Sequence, residues 1–177
     1  DRRQRQMCIR DSSYTTTASD GTSITLSNID QTYTDLCIMV NAADKGSTAF
    51  AGTYLRFNND SGTNYWWKRV MSNQGSGFTD KGDSASAIDC GYWPGANLTN
   101  QFVGMRIYIT NYRWGNGKNV LVKTVQEGNV ATTSMYTPIQ VSGYWNGTGA
   151  ITSITLGTSG SGFTTGSTFD VYGIKSS

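Results

Sequence analysis

The sequence predicts an all-β protein, a single antiparallel β-sandwich of jelly-roll-like type, and three observations lead there. Charged residues make up only 15% of the chain against 37% apolar ones, and the polar remainder is dominated by Ser, Thr, Asn and Gly, the residues of strands and turns. Apolar and polar residues alternate with a period of two over several short runs, whereas nowhere do apolar residues recur at the three-four spacing of a helix face. Clusters of Gly, Asn, Asp and Ser separate those runs and supply turn geometry. A chain of 177 residues has room for one domain with a sizeable core.

Along the chain, Ser23–Ser27 reads as a short strand, and Asp35–Ala42 as a longer one that is apolar on both faces, suiting a central position. Residues 53–58 alternate, with Leu55 and Phe57 inward and Tyr54 and Arg56 outward, and 59–64 form a turn. Residues 65–71 are the next strand, though the aromatic succession Tyr65, Trp66, Trp67 leaves its buried face open. The stretch 75–84 reads as a loop, and 88–92 as a strand closed by Trp93, Pro94 and Gly95. Residues 102–111 alternate most cleanly, with Val103, Met105, Ile107 and Ile109 on one face and Arg106 and Thr110 on the other. A turn over 114–118 should return the chain as an antiparallel strand over 119–126. Strands over 131–141, with Pro138 at an edge or bulge, 151–156 and 168–174 complete the set. Gly143 reads as a turn residue, and 157–166 as a hairpin connection.

Residues 1–11 stand apart, because Arg2, Arg3, Arg5 and Arg10 crowd a segment whose continuation is nearly uncharged. The run resembles the in-frame translation of a transposase sequencing adapter, which implies that 1–11 are a scar outside the fold and that 12–177 form the domain. A basic nucleic-acid- or membrane-binding arm is the alternative. Without those residues four arginines and two aspartates go, ten basic residues face ten acidic ones, and the net charge falls from +2 to zero. The expectation is therefore of no nucleic-acid partner. Cys8 lies in the same segment, leaving Cys37 and Cys90. Cys37 sits in the apolar run 36–40 and reads as a buried thiol, so no disulfide is expected. No run of about 18 apolar residues and no signal-peptide pattern is visible, which predicts a soluble product without a membrane partner.

The chain contains no histidine, the usual base near neutral pH and the commonest transition-metal ligand, so triads and zinc sites are excluded. Asp60, Asp80, Asp83 and Asp89 could pair as acid and base, but no spacing among them suggests a glycosidase-like cleft. The expectation is a protein that is not an enzyme and holds no cofactor or metal. Asn58, Asp60, Gly62 and Asn64 alternate like the ligands of a calcium loop, but without a distal glutamate the segment reads as a turn held by its own side-chain hydrogen bonds. The loop over 80–83 is a weaker case still. Trp66, Trp67, Trp93, Trp114 and Trp145 are the candidate contact residues, as platforms for sugar rings or as subunit contacts, with packing or assembly favoured. Asn59, Asn97 and Asn146 open N-glycosylation triplets of the kind that arise by chance in an Asn- and Thr-rich chain.

Three separated blocks carry a resemblance to a known family. They are residues 29–36 (Ile-Asp-Gln-Thr-Tyr-Thr-Asp-Leu), residues 55–65 (Leu-Arg-Phe-Asn-Asn-Asp-Ser-Gly-Thr-Asn-Tyr), and residues 151–156 running on to 166–175, which end in Tyr172-Gly173-Ile174-Lys175. In order and spacing they resemble a domain of bacteriophage tail, fibre and other virion proteins found in environmental sequence, with departures at Asp30 and Asn59 where Pro and Gly are expected. The resemblance implies a β-rich fold and a place on the phage particle as a capsid-decorating, tail or fibre component. It implies as partners other virion proteins and copies of the chain itself, in a homo-oligomer, and supplies no catalytic residues. The alternative is a glycan- or receptor-binding module of a phage fibre with a host-surface glycan as partner, which would require coplanar exposed tryptophans beside Asn and Asp in a groove.

Overall fold

The computed structural model describes residues 7–17, 19–47, 50–73, 76–95, 102–128 and 135–175. Twelve strands follow one another: β1 (Met7–Thr15), β2 (Ser23–Ser27), β3 (Asp35–Ala42), β4 (Phe50–Phe57), β5 (Tyr65–Asn73), β6 (Ser76–Ala85), β7 (Ile88–Pro94), β8 (Val103–Thr110), β9 (Lys118–Gly128), β10 (Met135–Trp145), β11 (Ser153–Thr158) and β12 (Thr168–Lys175). They form an eight-stranded sheet in the order β1-β12-β3-β8-β9-β10-β5-β6 and a four-stranded sheet in the order β2-β11-β4-β7. Every pairing is antiparallel. Among the described residues no helix is long and apolar enough to cross a membrane. The all-β sandwich stands, while the jelly-roll label goes further than this strand order supports.

The period-two pattern places the core. On β8 the buried residues are Val103, Met105, Ile107 and Ile109, and on β3 they include Leu36, Ile38 and Val40. Each of these β3 residues faces a buried β8 partner in register, Ile109, Ile107 and Met105 in turn. The four-stranded sheet supplies Ile24, Leu26, Leu55, Phe57, Ile88, Cys90, Trp93, Ile154 and Leu156 to the same core. At one end Trp93, Phe163 and Phe169 meet edge-on, with centroids 6.0 and 4.9 Å apart. At the other, Phe57 lies 5.4 Å from Trp145 and 6.4 Å from Tyr65. Such tilted aromatic packing adds to what area burial alone contributes. Cys37 is a buried free thiol, as expected, and Cys90 is a second one on the other sheet.

The end of the sandwich bearing loops 28–34, 58–64, 111–117 and 146–152 is tied by polar groups. Asn58, in the left-handed region at φ 52°, donates its amide to Ala150 O at 2.8 Å and accepts the N–H groups of Thr152 and Ser153 at 2.8 and 3.2 Å. Asparagine tolerates that backbone conformation because its short side chain can hydrogen-bond locally. Lys118 is fully buried, and its ammonium donates to the carbonyls of Trp114, Asn116 and Gly149 at 2.7, 2.6 and 2.9 Å, with that of Gly147 at 3.3 Å. At the opposite end buried Asp44 accepts Gly46 N–H at 2.7 Å and the Thr158 hydroxyl at 2.8 Å, joining two connections.

Several expectations are corrected. Residues 7–11 belong to the fold: β1 pairs with β12 from Met7 opposite Lys175 to Thr15 opposite Thr168, with a bulge between Arg10 and Ser12. A backbone ladder asks only for an extended segment with free N–H and C=O groups, so the missing apolar alternation did not prevent pairing. Residues 1–6 lie outside the described residues. The stretch expected as a loop at 75–84 is largely the edge strand β6, paired residue by residue with β5. The strand expected at 131–141 runs over 135–145, with 131–134 outside the described residues. Gly143 is therefore no turn residue but a buried position opposite Val120 and Trp67, where a side-chain Cβ would meet Ile88 Cδ1 at 2.8 Å. Pro138 faces Val125 on β9, one residue short of where the β10–β5 ladder starts at Ile139. The segment expected as a hairpin at 157–166 instead carries the chain from β11 in one sheet to β12 in the other.

Candidate functional site

The small sheet covers one face of the large one, and the opposite face of the large sheet is open. Alternation fixes what that outer face displays. β10 sends Ile139, Val141 and Trp145 inward, and therefore Gln140, Ser142 and Tyr144 outward. β5 sends Tyr65, Trp67, Arg69 and Met71 inward and Trp66, Lys68 and Val70 outward, which settles the face that the aromatic run left open. Met39, Val70 and Tyr144 are 39%, 59% and 36% exposed there. The surface is thus apolar and aromatic in patches, with Arg106, Lys123 and Lys68 between them.

One feature of this face is a groove of about 320 Å³ lined by Trp66, Tyr144, Lys68, Ser142, Asn119 and Asp83. Trp66 and Tyr144 are neighbours in register, with ring centroids 6.2 Å apart and planes at 52°. The Tyr144 ring lies directly over Gly117, where a Cβ would come within 2.0 Å of the hydroxyl, and that hydroxyl is 3.3 Å from Asn146 Oδ1. A side chain at 117 would have to displace the ring. Asp83 pairs with Lys81 on the groove's rim. Two larger grooves on the same face, of about 460 and 380 Å³, run along Val70, Lys123, Pro138 and Gln140, and along Met39, Gly104, Arg106 and Lys123.

The five tryptophans singled out from sequence do not share this face. Trp66 is on it. Trp93 and Trp145 are core residues, and Trp145 donates its indole N–H to Asp60 at 2.7 Å. Trp114 is 58% exposed in the loop over 111–117. Trp67 borders the Trp66–Tyr144 groove, but its ring packs against Gly82, where a Cβ would lie 2.3 Å from Nε1, and lies within 5.5 Å of the Arg69 guanidinium. Coplanar exposed tryptophans are therefore not what the fold assembles; Trp66 with Tyr144 is. Tyr144 was legible only once strand parity at Gly143 was known.

The carboxylates weighed for acid–base work are also placed. Asp80 and Asp89 converge on one guanidinium, that of buried Arg69, at 2.9 and 2.7 Å. Tyr92 faces Arg69 from the other side, 5.2 Å from its ring centre. This clamp joins β5 and β6 of the large sheet to β7 of the small one. Burial pushes the Asp89 carboxyl above its ordinary value, outweighing the Gly91 N–H and the Arg69 charge, which pull it down. Sequence reasoning missed the clamp, since Asp80 and Asp89 reach Arg69 only through the pairing of β5 with β6 and the packing of β7 across the core.

Asp60 sits in the calcium-like loop. Its carboxylate accepts Gly62 N–H at 2.8 Å, the Asn64 amide at 3.0 Å and the Trp145 indole. Burial raises its pKa, but those donors outweigh it and hold the group below the ordinary value. The loop is therefore the self-bonded turn that was favoured. Asn59 and Asn146 are exposed, and Asn97 lies outside the described residues.

The three blocks behind the family resemblance meet one another. The Gln31 amide donates to Ile151 O at 2.9 Å, Asn58 holds Thr152 and Ser153, and Thr34 N–H bonds Ile174 O at 2.8 Å. Tyr33 lies over Gly173, leaving no space for a Cβ. These letters maintain the scaffold's loop end and are remote in kind from the open sheet face. Compared with protein-family models, curated proteins and solved structures, the chain matches none.

Proposed function

We propose that the protein is a structural component of a bacteriophage particle, a capsid-decorating, tail or fibre domain that acts through repeated protein contacts and performs no chemistry of its own. The observation that carries this reading is the open outer face of the eight-stranded sheet. It exposes Met39, Val70 and Tyr144 among polar and cationic residues, the mixture of apolar and polar groups that subunit contacts use. The resemblance of the three blocks supports the particle location, and their role as scaffold ties accounts for a resemblance that brings no site with it. The partners are other virion proteins and further copies of the chain. Quantitative mass spectrometry of purified particles, combined with imaging of the particle, tests the assignment. The expected result is many copies at a symmetric position, and absence from the particle overturns it.

A second reading is favoured by one specific feature, the groove between Trp66 and Tyr144 with Asn119, Ser142 and Asp83 around it. Aromatic walls beside amide, hydroxyl and carboxylate groups suit a sugar ring. On this reading the outer face contacts a host-surface glycan rather than a protein neighbour.

A further inference from the structure

The cations of the outer face stand where strand pairing disfavours them. Arg106 on β8 is the register partner of Lys123 on β9, and Lys68 on β5 is the partner of Lys81 on β6. Like charges directly opposite one another across a strand pair are destabilising. Lys81 is answered by Asp83. Arg106, Lys123 and Lys68 have no ion pair among the described residues, although the same chain neutralises Arg69 twice and Arg10 with Asp170. Three unanswered cations thus share one sheet face with the Trp66–Tyr144 groove.

From this arrangement we infer that the outer face binds an acidic glycan, a chain of sugar rings bearing carboxylates, laid diagonally from the Trp66–Tyr144 groove across Lys68 toward the Lys123–Arg106 pair. The inference rests on the glycan-binding reading and names its ligand class. Ring faces are recognised at the groove, where one ring stacks on the Trp66 indole and meets the tilted Tyr144 ring at its edge. The Tyr144 hydroxyl already bonds Asn146, and a tyrosine has only two rotatable side-chain bonds to lose on binding. Asn119, Ser142 and Asp83 offer donors and acceptors to ring hydroxyls. The cations then take the carboxylates. Strand spacings of about 4.8 Å and two-residue steps of about 6.8 Å put Lys68 beside the groove, Lys123 roughly 17 Å and Arg106 roughly 20 Å from Trp66. That span calls for an oligosaccharide rather than a single sugar. Arg106 can grip a carboxylate through two parallel N–H bonds. A nucleic acid fits less well, since the cations form a short pair rather than a backbone-length stripe.

The test uses the full chain with oligogalacturonate and oligosialate, with the same oligogalacturonate after reduction of its carboxyls, and with single-stranded oligo-dT, all by titration calorimetry. Binding to at least one acidic oligosaccharide is expected, weakened at least tenfold by carboxyl reduction, by Trp66→Ala, and by Arg106→Gln combined with Lys123→Gln. The melting temperature of the double variant should equal or exceed that of the parent, because it relieves a like-charge pair, so lost affinity cannot be ascribed to unfolding. No binding to either acidic oligosaccharide, equal binding of the reduced one, or preference for oligo-dT overturns the inference. A neutral-sugar preference would leave the glycan reading standing and remove only the ligand class. Failure to bind any sugar would remove both, without touching the particle assignment.

Discussion

The two faces of the eight-stranded sheet treat positive charge in opposite ways. On the inner face Arg69 is held by Asp80 and Asp89, and Lys118 is enclosed by four carbonyl oxygens. On the outer face Arg106 stands opposite Lys123, with no ion pair to either among the described residues. A charge removed from water must be compensated in place or the fold fails. A charge left in water escapes that demand and remains available to something outside the chain. The contrast separates residues that hold the molecule together from residues that it displays.

The contrast breaks first at β8, where neighbours in sequence lie on opposite faces. Ile107→Ala should cost about 2–5 kcal/mol in denaturant unfolding, as large-to-small core changes do. Arg106→Ala should change stability by less than about 0.5 kcal/mol. Equal losses would mean that the faces are wrongly assigned. Next in size is Lys118→Met, which keeps the buried stem and removes the donor from the carbonyl cage. It should cost about 1–3 kcal/mol, the penalty for stranding buried acceptors, whereas Lys123→Met should show no loss.

The carboxylates sharpen the comparison through acid titration. Asp60 sits below its ordinary pKa, so its contribution is present above the unfolded value and is lost as pH falls through the folded one. Asp89 sits above its ordinary value. The folded protein there binds the proton more tightly, and the penalty for the ionised group is relieved as pH falls. Unfolding midpoints of the parent, Asp60→Asn and Asp89→Asn from about pH 7 down to about pH 3 should therefore diverge in opposite senses. The parent's margin over Asp60→Asn shrinks in acid, and its margin relative to Asp89→Asn rises. A gain is expected at Lys68→Gln, which relieves the repulsion with Lys81 and should stabilise by about 0.2–1 kcal/mol; a loss of that size would show that Lys68 has a structural partner.

Strands with a strong alternation were legible without coordinates: β2 and β3 have the bounds read from sequence, and β8 and β9 differ by a residue or two. The edge strands of the eight-stranded sheet were not. β6 carries Asp, Lys, Ser and Gly on both faces because it packs little beyond its ladder to β5, and β1 is likewise held chiefly by β12. Glycine hid β10, since Gly143 occupies a core position where Ile88 fills the space of its missing side chain. The groove was half legible. Trp66 was named, but its partner Tyr144 depends on a register that no local pattern states, and Trp93 and Trp145 were indistinguishable from surface tryptophans until the two sheets were placed face to face.

The position of β3 governs how the chain can be made. It lies between β8 and β12, yet about 125 residues separate its end from the start of β12. At ordinary rates of synthesis that interval lasts about 6–25 s, and for that time a strand apolar on both faces waits with one or both ladder edges unfilled. Completing the large sheet is therefore dominated by distant pairings, which is the slow class of topology. A ribosome that stalls before Thr168 would release a chain whose exposed β3 edge is a template for pairing with its neighbours.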